Sequence, residues 1–291
     1  MVEDVGAKGD GKVLGKWTSG CAMSNQYEVG SWSEFITAVM PFMARSSAGL
    51  HRFGMDFPPY LFRGHDKASH RLIASVFREF YDDGRVRLDG SFFKKERTII
   101  GFVRNKLADY FDVSEWDLFA AAQHHAIPTR FLDWTSDPFV ALAFAFENIR
   151  RTDKVVEGEA SPVIWVLKTN VDDFSIPKNE ESPIPAGRSG KTKIYVPNKV
   201  SSRIVAQDAY LMRQIVENDV HGEYTVIPLE ENETFKDRLW RIAFKKNAFE
   251  EICEQIEKLR VNVNDLLNPE GWADLKKESE HVLGAGKNCR T

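Results

Sequence analysis

Apolar positions along this chain switch repeatedly between a period near two and a period near 3.6, and each switch marks a change between strand and helix. Tyr27–Val29 reads as a short strand. Ser31 follows as an N-cap with Glu34 three residues later, the capping-box spacing, and opens an amphipathic helix through Met43. The proline-rich run at 57–60 leads into Leu61–Arg63, a strand that should stop at Gly64. Arg71–Phe80 carries Arg71, Ser75 and Arg78 along one short helix. Between 91 and 111, Phe92, Phe93, Ile99, Ile100, Val103, Leu107 and Phe111 recur at three- and four-residue steps, which gives a long helix one apolar face. Trp116–His125 is a second helix, and Pro128 forces a turn at Ile127–Thr129. Asp137 and Pro138 suit the N-cap and first turn of a nearly all-apolar helix, Phe139–Asn148, which must be buried.

Beyond it, Pro162–Lys168, Arg203–Ala206, Tyr224–Pro228 and Leu239–Phe244 read as strands and Lys246–Leu259 as a helix. Residues 171–200, rich in Pro, Asn, Ser and Lys, read as a long loop. There are no repeats and no regular alternation of strand and helix. The pattern predicts one α+β domain over 26–276, with a central, largely antiparallel sheet flanked by helices. A flexible leader (1–25) and a flexible tail (277–291) would bracket it.

Composition narrows the classes. Hydrophobic residues are 43% and charged residues 28% of the 291, an ordinary globular balance with enough material for a sizeable core. The net charge of −4 argues against holding nucleic acid by bulk electrostatics, although a local basic groove stays open. Cys21, Cys253 and Cys289 are too scattered for a disulfide framework or a CxxC pair, which fits a reducing compartment. No apolar run approaches the roughly 18 residues of a membrane span, and the N-terminus lacks signal-peptide order. The expected location is cytoplasmic, with no membrane partner.

The chemistry concentrates in Gln123–Phe146. His124, His125, Thr129, Arg130, Asp133, Trp134, Thr135 and Ser136 stand among apolar residues, where unpaired polar groups are costly. Such a run needs a dense hydrogen-bond network or a ligand. A metal is disfavoured, because adjacent histidines on a helix point about 100° apart. No dinucleotide-binding or phosphate-loop glycine motif occurs. A second feature is Arg63-Gly64 in LFRGH. The arginine can clamp phosphate or carboxylate, and the glycine would let a flat ligand approach the backbone. Each residue also has a structural alternative: a salt bridge for Arg63, pairing of Asp133 with Arg130, and a helix cap for Ser136.

With LFRGH at 61–65 and QHHAIPTRFLDWTSDPFVALAFA at 123–145, the chain resembles the FRG domain family, named for its Phe-Arg-Gly motif. Glu96 matches the family's glutamate helix, SRIVAQDAYL (202–211) is similar to its Arg-Ile-x-x-Gln strand, and 256–267 to its closing helix and turn. Ala126, Ala209 and Leu211 depart from the usual pattern. The resemblance implies a bacterial or phage protein with a role in conflict between the two. A more distant likeness links the order of elements to ADP-ribosyltransferases of the Arg-Ser-Glu type: Arg63-Gly64, then Trp134-Thr135-Ser136 before VALAFAF, then Arg203–Gln207. It implies an ADP-ribosyltransferase-like fold with NAD as substrate, bound by Arg63, Gly64, His124, Arg130, Thr135 and Ser136.

His125, Asp133 and Gln207 would carry the chemistry, one of the two histidines serving as general base. Gln207 stands where that group has a catalytic glutamate, and an amide cannot replace a carboxylate as base or cation stabiliser. Asp133 or Glu96 would then supply the acid. Asp208 should face away from Gln207 if the two lie on a strand. The expectation is a toxin or defence effector with a macromolecular acceptor, in which Arg63, His125, Arg130, Asp133 and Gln207 converge in one cleft. A non-catalytic nucleotide or nucleic-acid sensor, and a hydrolase or nuclease using His124, His125 and Asp133, are the alternatives.

Overall fold

The structure, a computed structural model, describes residues 25–43, 50–52, 55–107, 114–124, 127–152, 161–175, 191–197, 208–218 and 221–259. Strand β1 (Gln26–Val29) leads into helix α1 (Trp32–Met43), a ribbon of β2 (Leu50–Arg52) and β3 (Met55–Phe57), and strand β4 (Tyr60–His65). A 3-10 helix (Ser75–Phe80) and a second ribbon, β5 (Tyr81–Asp82) with β6 (Arg85–Val86), precede α2 (Gly90–Phe102), which runs into a π-helical turn (Val103–Leu107). Next come α3 (Glu115–His124), β7 (Phe131–Thr135), α4 (Pro138–Thr152), β8 (Val163–Lys168), β9 (Phe174–Ser175), β10 (Lys193–Tyr195) and β11 (Ala209–Arg213). A third ribbon, β12 (Glu217–Asn218) with β13 (Tyr224–Thr225), is followed by β14 (Leu239–Phe244) and α5 (Phe249–Lys258).

Among the described residues, eight strands form one sheet in the order β1-β14-β8-β4-β7-β11-β10-β9. Only the two outermost pairs are parallel; the five between them are antiparallel. This is the α+β arrangement that the patterning predicts. Helices α1, α4 and α5 cover one face, where Phe35, Val39, Phe249 and Ile252 pack on Phe62, Ile164, Val166 and Ile242. Helices α2 and α3 and the 3-10 helix cover the other, around Leu61, Phe77, Phe92, Phe119 and Trp165. Among the described residues, no helix is long and apolar enough to cross a membrane.

Local chemistry accounts for the element ends. Glu34 N–H donates to Ser31 Oγ at 3.2 Å, and the Glu34 carboxylate reaches back to the Gly30 N–H at 2.6 Å, so the capping box closes one residue earlier than its usual form. Asp137 caps α4 by accepting from Phe139 N–H at 2.7 Å, with Pro138 at the first helical position.

Several elements differ from the sequence expectation: the strand read at Tyr224–Pro228 covers only Tyr224–Thr225, and the long helix read over 91–111 is α-helical only to Phe102. Strand β4 does not stop at Gly64: Gly64 pairs with Ile164 and His65 with Val163. The loop at 171–200 contains β9 and β10, because Phe174, Ile194 and Tyr195 bury their side chains in the core. The helix read over Arg71–Phe80 begins only at Ser75. Its first residues are held extended by Gln214, which accepts from Ala74 N–H at 2.6 Å and donates to Leu72 O at 3.0 Å. The strand expected at Arg203–Ala206 lies outside the described residues, as do the tail and the leader before Asn25.

Candidate functional site

The sheet is two four-stranded halves joined at one point. Strand β4 makes six residue pairs with β8 but a single one with β7, Phe62 with Thr135. One step further along that register Arg63 would face Trp134, and Gly64 would face Asp133, but no backbone pairing exists there. Side chains take over where the ladder ends. Arg63 Nη1 donates to the Asp133 main-chain oxygen at 2.5 Å and stands 3.6 Å from Asp133 Oδ2. The Arg63 side chain is 12% exposed and that of Asp133 39%, so the pair sits at the rim of the split.

Asp133 is held from the other side as well. Gln123, on the last turn of α3, donates its amide to Oδ2 at 2.8 Å. Gln123 in turn accepts from the Thr129 hydroxyl, which also accepts from Phe131 N–H at 3.1 Å. Thr129 N–H donates to Ser75 Oγ at 3.2 Å, which ties the 3-10 helix to the start of β7. That helix carries Arg78, whose Nε donates to Ile73 O at 3.2 Å.

Three groups in this cluster have unmet hydrogen-bonding capacity among the described residues. They are Arg63 Nη2, the two terminal nitrogens of Arg78, and Asp133 Oδ1, which is shielded from solvent and has no partner. Burial pulls the Arg63 guanidinium down to about 10; Asp133 opposes that shift and Arg78 adds to it. Burial likewise lowers Arg78, against the pull of Asp133 and Asp66. Both remain cations at neutral pH, with the Asp133 carboxylate acting on each.

His65 lies two residues after Arg63 and therefore on the same strand face. Its Nε2 accepts from Arg63 Nε at 3.0 Å, and its Nδ1 lies 3.2 Å from His70 O. Burial first, then Arg63, Arg78 and His70, holds its pKa well below the usual imidazole value. The adjacent Asp66 binds His70 Nδ1 at 3.1 Å and the Asn148 amide of α4, and these bonds, the one to His70 foremost, hold its carboxyl down at about 2.

Several residues expected at a ligand site are engaged elsewhere. Arg130 forms a buried two-pronged ion pair with Glu96 of α2, with Nη2 2.6 Å from Oε2, and its guanidinium lies over Phe77 and Phe92. Both side chains are under a tenth exposed, so Arg130 pins α2 to β7 and Glu96 is not available as an acid. The expected Asp133–Arg130 pair is replaced by Asp133–Arg63. Gly64 faces away from Arg63. A methyl group there would stand 2.0 Å from Ala141 O and 2.7 Å from Ala145 N, so its bare Cα admits α4 and not a ligand. The Thr135 hydroxyl accepts from Asp137 N–H at 3.0 Å inside the turn that starts α4. Ser136 bonds the carboxylate of Asp208, a left-handed turn residue (φ 41) just before β11 and not a strand residue opposite Gln207.

His124 ends α3, and its side chain lies outside the described residues, as do His125 and Gln207 entirely. Of the expected cluster, Arg63 and Asp133 come together. Gln123, His65 and Arg78 join them, and sequence reasoning assigned none of these three. His65 was readable from its two-residue spacing on a strand; Arg78 had no signal beyond its place on a short helix.

These residues fall within one recognisable stretch. Residues 58–154 match the FRG domain. Over these residues the chain is similar to that domain. The matched span contains β4, α2, α3, β7 and α4, and with them every residue of the Arg63–Asp133–Gln123–His65–Arg78 cluster. The FRG domain's Phe, Arg and Gly thus have separable places here: Phe62 packs under α4, Arg63 bridges to β7, and Gly64 admits the helix. The sheet extends beyond the match through β8, β11 and β14. No curated protein and no solved structure matches the chain.

Proposed function

We propose that the split between β4 and β7 binds an anionic nucleotide, with NAD the first candidate. The observation that carries this is the pair of guanidinium groups with uncommitted nitrogens at one rim, Arg63 and Arg78, both acted on by the Asp133 carboxylate. A phosphate oxygen suits the guanidinium donors, and a ribose hydroxyl suits the accessible edge of the Asp133 carboxylate, whose side chain is 39% exposed.

In the catalytic form of this reading, Asp133 stabilises positive charge developing on the ribose as nicotinamide leaves. The ADP-ribosyl group would pass to water or to a macromolecular acceptor, in keeping with a toxin or defence role. The test is incubation with NAD, followed by mass spectrometry for nicotinamide and calorimetry for binding of NAD and ADP-ribose. Arg78→Ala is the informative variant, because the Arg78 terminal nitrogens make no hydrogen bond among the described residues. It should weaken binding about tenfold or more, the loss of one charged hydrogen bond. Wild-type protein that binds neither nucleotide would end the proposal.

A second reading, binding without turnover, is favoured by the engagement of both expected acids. Glu96 is closed by Arg130, and Asp133 is held between Gln123 and Arg63. Bound NAD recovered intact would decide for a sensor, and labelling of a lysate component from NAD would decide against it.

A further inference from the structure

We propose that His65 is a positioning residue, whose ring, as the Nδ1–H tautomer, orients the Arg63 guanidinium towards the ligand by accepting its Nε–H. The geometry admits one assignment. Arginine Nε can only donate, so His65 Nε2, 3.0 Å away, must be bare. The His70 carbonyl can only accept, so Nδ1, 3.2 Å from it, must carry the proton. An imidazolium would set one N–H against another and place a third cation beside Arg63 and Arg78.

The consequence is a defined guanidinium plane. Nε is held by His65 and Nη1 by the Asp133 carbonyl, which leaves Nη2 as the member of the fork that points to what binds. Pre-orientation of this kind lowers the cost of binding without adding a contact to the ligand. The charged and titratable groups that act on His65 are Arg63 from β4, His70 from the following loop and Arg78 from the 3-10 helix; Asp66 in turn acts on His70 and Arg78, and Asp133 of β7 on both arginines. Burial and the two arginines all favour the uncharged ring that this role needs.

The ligand readout rests on the nucleotide reading; the structural readout does not. Nitrogen-15 NMR of the full chain should show His65 protonated on Nδ1 alone at pH 7, and an Arg63 Nε–H protected from solvent. In His65→Leu, that Nε–H should exchange about tenfold faster, and ADP-ribose should bind about tenfold more weakly, as expected for one charge-assisted hydrogen bond. His65→Gln, which returns an acceptor near the Nε2 position, should recover most of both. A wild-type proton on Nε2, unchanged exchange in His65→Leu, or no recovery by His65→Gln would each overturn the proposal. If wild-type protein binds no ADP-ribose, the nucleotide reading fails, while the tautomer and the exchange rate still decide the role of His65. Should His65→Leu not fold, the wild-type tautomer and the His65→Gln exchange rate carry the test.

Discussion

Replacing Gly64 by alanine separates two explanations for the glycine that follows Arg63. Gly64 lies inside a regular strand pairing and is not among the described glycines with positive φ, which are Gly84 and Gly222. Backbone freedom is therefore not what it supplies. The requirement is space. An added Cβ would stand 2.0 Å from Ala141 O and 2.7 Å from Ala145 N. Ordinary contact begins near 3.4 Å, so α4 would have to withdraw by about 1.4 Å. Those atoms belong to a helix backbone and cannot rotate away as a side-chain tip would. Withdrawal would open the packing of α4 on Phe62, Ile164 and Val166, which are almost fully buried.

Overpacking costs about 1–3 kcal/mol in ordinary cores, and a rigid obstacle puts this site at the upper end, about 3 kcal/mol. For a domain of this size that is roughly 6–12 °C in Tm. Urea and thermal unfolding of Gly64→Ala measure it directly. Adding Ala141→Gly should bring no relief, because the obstruction is the carbonyl and not the methyl. A Gly64→Ala protein as stable as wild type but unable to bind nucleotide would refute the packing argument and return the glycine to ligand approach.

Three further outcomes follow from the same geometry. Arg130→Met or Glu96→Leu alone should cost about 3–5 kcal/mol by leaving a buried charge unpaired, whereas the two together should cost less than the sum; a double-mutant cycle in urea reads this. Lowering the pH below 6.5, the ordinary histidine value, should destabilise the fold: the unfolded chain takes a proton on His65 that the folded chain refuses, so the loss grows at up to about 1.4 kcal/mol per pH unit. His65→Gln should flatten that slope, while Asp66, held at about 2, loses its contribution only as pH falls below its ordinary 3.8, a separate window. Asp137→Ala should cost about 1 kcal/mol through loss of the α4 cap, measurable as a shift in urea midpoint.

The α+β class, the antiparallel sheet, the cap at Asp137 and the buried α4 were legible because they rest on local pattern. Phe139–Phe146 can only be buried, and Asp-Pro before it can hardly be other than a helix start. The Arg63–Asp133 juxtaposition was legible as an expectation of convergence, since two polar clusters in apolar surroundings must find partners. Which partner each finds depends on register. Arg130 and Asp133 are three residues apart, yet one pairs with Glu96 of α2 and the other with Arg63 of β4. Nothing within the segment distinguishes them, because the choice is made by which face of β7 meets which layer. Gly64 shows the same limit: a glycine beside an arginine reads as ligand approach until the strand face opposite is found occupied by a helix.

Arg63 therefore cannot be sorted as either structural or functional. The β4–β7 ladder ends after one pair, and its guanidinium supplies the bond to the Asp133 carbonyl that a strand N–H would otherwise make. That bond keeps the two halves of the sheet together at the point where they part, and the same fork leaves one nitrogen uncommitted at the opening. A group that bridges a gap in a sheet is held rigidly by the fold, and rigidity at a rim is what an anion clamp requires. It follows that loss of binding on Arg63→Ala would not by itself assign Arg63 to the ligand, because Asp133 would lose its anchor too. Arg78, bonded among the described residues only to Ile73 O through Nε, separates the two effects. The strength of the nucleotide reading is thus measured at Arg78, and the integrity of the split sheet at Arg63.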